Sequence, residues 1–471
     1  VKDSNLILYF LSRVVSAGGN LVSVAVFTRL VSPAEYGAYV LTFAWAIIVY
    51  GFATQWMKFA YFGVYRAAKA EAIIASYARL LGFATLAVAV GLGLAAASGA
   101  MAPGFAAALF GLFVGMTVYE ALLEIARTRL AARAVALSMI FRALFSLVLG
   151  YVALKLEPTA ISLSVAIAVA HLIAAVPSAV AVKDFAGGRA GREAAETLVR
   201  YGWPLILSFG VMAVGQTVDR LMISYFAGDA VLGPYGVIAD LMRQSFMVVG
   251  ESIALALITV GKQLADEGRD AESDVVMRRA FQACLAAASF GAAFFVVFGH
   301  DLARLALGEP FAQRGYEIIP YFAVAFGFMT LKNFYFSQVI FFAKAALLEF
   351  MIAAVFVAMS AAIALALVPS QGAVGGAIAL MIAHAAATIA AAVLGRRLRT
   401  LPVDLAALAI MPAAALALTL AALAVEGFGL SPAAAFAAKV ALFAAVVVAV
   451  AWRFDLFSLA RGGAARGSPA R

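Results

Sequence analysis

The chain has 471 residues, of which 65% are hydrophobic and 13% charged, with a mean hydropathy of +1.02. Soluble globular chains hold roughly 45–50% apolar and about 25% charged residues, so a water-soluble fold is excluded. The net charge of +9 asks for an anionic partner or a topological cause, and its distribution along the chain decides which.

Apolar residues gather in runs of about 20, the length that crosses a ~30 Å hydrocarbon layer as a helix. The runs are continuous rather than alternating, which excludes barrel strands. About fourteen spans are predicted in chain order, at residues 7–31, 36–62, 76–98, 104–126, 137–155, 161–182, 202–227, 232–260, 280–299, 317–342, 346–368, 373–395, 404–425 and 432–452. The fold class expected is therefore all-α and polytopic.

Charge sets the orientation. With the N-terminus inside, the inner segments hold about 23 Lys and Arg, among them Arg66, Arg127, Arg133, Arg192, Arg269, Arg279 and Arg396. The outer loops hold only Lys155, Arg304 and Arg314. That is a strong positive-inside bias, reinforced by anionic lipid at the inner face, and no nucleic-acid partner is expected. Both termini are expected in the cytoplasm. The first apolar run has no small-residue cleavage site and leads straight into a second span, so it reads as an anchor. The one cysteine, Cys284, falls within a span and forms no internal disulfide.

Two outer turns look alike. "RLVSPAEYGAYV" (Arg29 to Val40) and "YFAGDAVLGPYG" (Tyr225 to Gly236) each close the first hairpin of a six-span block, and a shift of about 196 residues lays Gly37 on Gly233 and Tyr39 on Tyr235. Ser32 is expected to cap the second span, Pro33 to take the first helical position and Glu35 to complete a capping box; Asp229 is expected to cap in the same way. Six is even, so both blocks enter the membrane with one polarity, as parallel repeats about a pseudo-two-fold along the membrane normal. The expected layout is a six-helix lobe at 1–183, a cytoplasmic linker at 184–201, a second six-helix lobe at 202–395, two additional helices at 396–453 and a disordered cytoplasmic tail at 454–471.

"LVSPAEYGAYVL" and "DRLMISYFAGDAVLGPYGVIADLMRQ" (Asp219 to Gln244) resemble the polysaccharide transporter family, the Wzx-type flippases of the MATE-like superfamily. The likeness in span count and in the 6+6+2 layout runs over nearly the whole chain. It implies a flippase that carries a polyprenyl-diphosphate-linked oligosaccharide from the cytoplasmic to the periplasmic leaflet of a bacterial inner membrane, for O-antigen, capsule or exopolysaccharide. The implied partners are that substrate, membrane lipids and other proteins of glycan assembly. A monomer is the working expectation.

Polar groups inside spans are expensive and face a protein interior or a wet cavity. In the first span Arg13, Ser16, Asn20 and Ser23 recur at helical spacing and form one polar stripe. Asp240, Arg243, Gln244 and Glu251 share an arc of the eighth. Lys58, Arg142, Lys332 and Asn333 add further polar groups within spans. A cleft lined by Arg13, Lys58, Arg142, Arg243 and Lys332, with Asn20 and Asn333 beside them, would suit a diphosphate, which guanidinium groups grip with paired hydrogen bonds. Lys58 and Arg142 could instead snorkel to the inner face, and Asp240 with Arg243 could be a structural pair. Candidates for coupling to a proton or sodium gradient are Glu251, ranked first, then Asp240, Asp219, Glu120 and Glu349. His171 and His384 read as packed core residues.

No cofactor or metal site is expected. "ADEGRD" (Ala265 to Asp270) has the outline of an acidic metal motif but stands alone among basic residues, so it reads as a solvated face. Two rivals stay open: a lipid II flippase of the same 6+6+2 plan, and a membrane enzyme of glycan assembly. The longest outer loop, about 17 residues from Gly299 to Tyr316, leaves an enzyme little extramembrane surface.

Overall fold

The structure is a computed structural model that describes residues 3–185, 188–339, 342 and 346–456, with the side chains of 3–11, 13, 14, 185 and 346–347 left outside that description. Among the described residues every regular element is a helix. A bilayer leaves no other option to a chain of continuous apolar runs, because backbone N–H and C=O groups must bond within the segment. The helices are α1 (Asp3–Phe27); α2 (Pro33–Val64), α3 (Ala67–Ala97), α4 (Pro103–Thr128), α5 (Ala132–Leu156), α6 (Ala160–Ala181) and α7 (Arg192–Gly215); α8 (Val218–Ala227); α9 (Asp229–Asp266) and α10 (Asp270–Ala306); the short α11 (Glu309–Gly315); α12 (Ile319–Phe334); α13 (Ala346–Gly395); α14 (Leu405–Ala424); and α15 (Pro432–Arg453).

Among the described residues eleven helices are long and apolar enough to cross a membrane. One of them, α13, is two crossings merged at Gly372, whose φ of 55° breaks the helix; only glycine adopts that conformation without strain. With α1 and the 16-residue α12, the count reaches the fourteen crossings predicted. The chain is a multi-pass membrane protein.

Residues punctuate the helices as the sequence suggests, with two differences. Ser32 does cap α2, its Oγ accepting from the Glu35 N–H at 3.3 Å. Glu35, however, does not turn back to complete a capping box. Its carboxylate accepts from the Ala160 N–H at 2.7 Å, at the start of α6, where unpaired N–H groups favour an anion. Asp229 is the first helical residue of α9, behind Gly228, and its carboxylate accepts from the Ser224 hydroxyl at 2.6 Å. Single π-turns interrupt α2 at Gly51–Gln55 and α9 at Ala254–Ile258.

The chain divides into two compact units. Unit 1 comprises residues 1–237, 306–314 and 368–373; unit 2 comprises 238–305, 315–367 and 374–471. These limits differ from the lobe limits read off the sequence. Residues 192–200 of the expected linker are helical, forming the start of α7, and unit 1 runs on through the first turns of α9.

The reason lies at the two similar turns. A β-carbon on Gly37 would stand 1.9 Å from the Asp229 carbonyl oxygen, and one on Gly233 would stand 2.2 Å from the Pro33 carbonyl oxygen. Gly236 lies against Val40 in the same register. Small residues let membrane helices approach backbone to backbone, and here they bind the start of α9 to α2 within unit 1. The segment 306–314 joins the same cluster: Gly308 donates its N–H to Thr28 Oγ1 at 3.1 Å, Arg29 donates to the Ala306 carbonyl at 2.9 Å, and the buried Phe311 ring meets Tyr36 edge-on. The rest of the unit 1 core centres on the stacked, fully buried rings of Tyr61 and Tyr77, with Trp56, Tyr119 and Leu123 around them. Unit 2 packs Phe281, Cys284, Phe334 and Tyr335 into a core shared with Met411 and Leu418 of α14.

Candidate functional site

Within unit 1 the structure pairs two groups that the sequence assigned to different tasks. Lys58, expected to bind substrate, donates to Glu120, expected to couple an ion, at 3.0 Å. Lys58 lies just past the π-turn of α2 and Glu120 lies deep in α4, so the two helices present opposite charges to each other. Both keep partial exposure, 17% and 30% of their side chains. A pair so placed balances its own desolvation.

Arg142 of α5 is held without a carboxylate. Its Nη2 donates to Ser16 Oγ at 3.4 Å, and its guanidinium lies over the Tyr119 ring at 5.7 Å. On its other side Tyr119 meets His171 edge-on, and His171 Nδ1 bonds the Ile167 carbonyl at 2.7 Å. That histidine is a packed core residue, as expected. Among the described residues Arg142 forms no ion pair. Asn20 is half-buried on α1. Arg13 belongs to the same helix, but its side chain lies outside the described residues. Asp219 is buried and accepts from the Tyr235 hydroxyl at 2.7 Å.

In unit 2, Arg243 donates to Asp240 at 2.9 Å, one turn apart on α9, with both side chains about 40% exposed. This is the structural pair that the spacing allowed. Lys332 of α12 faces Glu349 of α13 at 3.8 Å, with the lysine side chain 12% exposed. The second Glu349 oxygen, Oε2, is buried and has no hydrogen-bond partner among the described residues. Asn333 is half-buried, its carbonyl accepting from Gln338 at 2.6 Å. Glu251 is half-buried near the π-turn of α9.

Sequence reasoning missed Tyr119, which positions Arg142, and Lys439, which enters α15 as a buried cation and reaches Glu426 at 2.6 Å. Each had a signal: an aromatic ring beside a charged residue in a span, and a lysine inside an otherwise apolar run. The "ADEGRD" segment is a solvated charged face, in which Arg269 bridges Glu267 and Glu272. That arrangement holds the Arg269 guanidinium well above its ordinary pKa, chiefly through hydrogen bonding to Glu272. No cluster that could hold a metal ion occurs among the described residues.

No family model and no curated protein matches the sequence. Solved structures do match. A lipid II flippase, MurJ, in an inward closed conformation superposes with a TM-score of 0.74 at 11% identity, over 97% of this chain and 100% of that one. The chain has the fold of the MOP-superfamily transporters. A multidrug resistance MATE family transporter of that superfamily, inward-facing, gives a TM-score of 0.59 at 13% identity, over 81% of this chain and 94% of that one. A transporter of the same superfamily from Pyrococcus furiosus gives 0.51 at 15% identity, over 83% and 92%. At such identities the likeness is one of fold.

Proposed function

We propose that the chain is a flippase that moves a polyprenyl-diphosphate-linked oligosaccharide from the cytoplasmic to the periplasmic leaflet of a bacterial inner membrane by alternating access. One observation carries the reading: a flippase of a lipid-linked sugar matches the fourteen-helix plan over 97% of this chain, whereas a multidrug transporter matches over 81%. The basic groups inside the spans support it, since a diphosphate needs positive charge within the bilayer and a cationic drug does not. Arg142, fixed by Ser16 and Tyr119 and without an ion pair among the described residues, is the group best prepared to hold a phosphate oxygen. Arg243, Lys58 and Lys332 each bring a carboxylate partner that substrate would have to displace. Arg13, Asn20 and Asn333 complete the proposed binding set. The carboxylates of those pairs, Glu120, Asp240 and Glu349, with Asp219 and Glu251, are the groups through which an ion gradient would act.

The match over 100% of the lipid II flippase favours a second reading, in which the sugar is the peptidoglycan precursor. Complementation separates the two. In a strain lacking its own oligosaccharide flippase, restored surface glycan that is lost again with Arg142→Ala supports the first reading. Growth rescue confined to a strain depleted of its lipid II flippase supports the second. Normal rescue by Arg142→Ala in either strain would remove the proposed site.

A further inference from the structure

Unit 2 carries a small pocket lined by none of the residues of the proposed binding set. Its lining includes Phe336 and Val339 just past α12, Gly395 at the end of α13, Arg396, and Leu401 and Val403 of the following loop. The loop is tied down from three sides. The Arg399 guanidinium donates to Asp270 at 3.3 Å, approaches Asp274 at 3.7 Å, and lies over the Phe342 ring at 4.6 Å. The Tyr335 hydroxyl donates to the Pro402 carbonyl. Gln282 donates its amide to Asp404 at 2.6 Å. The pocket therefore stands preformed, and Arg399, which also lines it, is already offset by two carboxylates.

Arg396 differs. It is exposed, and among the described residues it forms no ion pair or hydrogen bond. Beside it Gly395 keeps the wall open, since a β-carbon there would come within 3.3 Å of Val339 Cγ1. The neighbouring side chains on the surface of the same segment, Ile389, Val393 and Leu398, are apolar and 46–62% exposed.

We propose that Arg396, at the mouth of this pocket, holds the phosphate of an anionic phospholipid of the inner leaflet. The proposal rests on the orientation proposed above, which puts the ends of α12 and α13 at the cytoplasmic face. An unpaired guanidinium at headgroup level grips phosphate oxygens in a bidentate fork, and basic pockets between helices at that face bind anionic headgroups. The exposed apolar flank leads the acyl chains into the bilayer. A free phosphate ion would gain nothing from that flank, so the occupant is the lipid.

The test is lipid retention, read by native mass spectrometry on protein in micelles doped with phosphatidylglycerol or phosphatidylcholine. The wild type should keep phosphatidylglycerol in preference. Arg396→Gln should lower that retention about fivefold, whereas Arg397→Gln, an equally exposed charge beside the pocket, should leave it unchanged. Equal losses in the two arginine variants would mean a diffuse basic surface and overturn the pocket. Displacement of the bound lipid by millimolar inorganic phosphate would overturn the lipid as occupant. Because transport is not the readout, failure here leaves the proposed function untouched.

Discussion

Gly37 of α2 and Gly233 of α9 are reciprocal. Each lies against the backbone of the other's helix, Gly37 on the Asp229 carbonyl and Gly233 on the Pro33 carbonyl, so that neither position has room for a β-carbon. The shift of about 196 residues that lays Gly37 on Gly233 also lays Pro33 on Asp229, so the contact has the form of a local two-fold. This supports the parallel-repeat reading of the two six-span blocks, and it accounts for the two similar turns in the sequence: they are the two sides of one crossing. Gly37→Ala or Gly233→Ala should each lower stability by about 1–3 kcal/mol, the range for overpacking. The double variant should cost less than the sum, because both force apart the same pair of helices. Thermal unfolding in detergent checks this, and full additivity would mean that the two contacts act separately.

Lys58 and Glu120 should behave as a unit. Lys58→Met leaves Glu120 as an unpaired, half-buried carboxylate, which should cost about 2–3 kcal/mol given the partial exposure of the pair. Adding Glu120→Met should restore most of that loss, since an apolar pair of similar size replaces the ions. The same double variant separates packing from transport. If it is stable but exports no glycan, the charges serve the substrate or its coupling ion; if it exports normally, the pair is structural.

Arg142 is expected to be sensitive to its supports as well as to its charge. Arg142→Lys keeps the charge but loses the planar fork and its stacking on Tyr119, and export should fall at least tenfold with expression unchanged. Tyr119→Phe preserves the ring face and should leave export within about twofold of wild type. Tyr119→Leu removes the face, worth roughly 1 kcal/mol at a half-buried site, and should lower export about fivefold. Surface glycan quantified on gels against protein amount checks all three.

Asp404 gives a pH signature outside the membrane. Its carboxylate caps α14, accepting from the Ala407 N–H at 3.0 Å and from the Gln282 amide at 2.6 Å. These bonds, the backbone one foremost, hold its pKa below the ordinary aspartate value. A depressed folded pKa means a stabilising contribution that is fully present above the unfolded value of about 3.9 and lost as pH falls through the folded value. Asp404→Ala should therefore lower stability by about 1 kcal/mol at neutral pH, and the gap to wild type should close below about pH 4. A gap that stayed constant with pH would assign the loss to packing instead.

Glu35 tests a connection between helices. Glu35→Gln keeps the size of the side chain but removes the charge that faces the N-terminus of α6, and a loss of about 0.5–1 kcal/mol is expected from the helix dipole and the charge-assisted bond. Ser32→Ala should cost a similar amount through the cap of α2 alone, and the two losses should add if the cap and the bridge are independent.

What the sequence by itself determined is everything that a bilayer makes local. Continuous apolar runs must become helices because no water is present to satisfy their backbone, so the spans, the cap at Ser32 and the break around Gly372 were all legible. The basic loops fixed an expected orientation for the same reason, since charge cannot rest in hydrocarbon. What only the tertiary structure decided is where each polar side chain finds its partner. Glu35 could satisfy its own helix or the start of α6, and packing chose α6. Lys58 and Glu120 looked like separate tools until α2 and α4 met. Asp240 and Arg243, one turn apart, could be paired from the sequence alone because their contact is local. Partners far apart in sequence are chosen by helix contacts, and in unit 1 those contacts follow from where glycine lets two backbones touch.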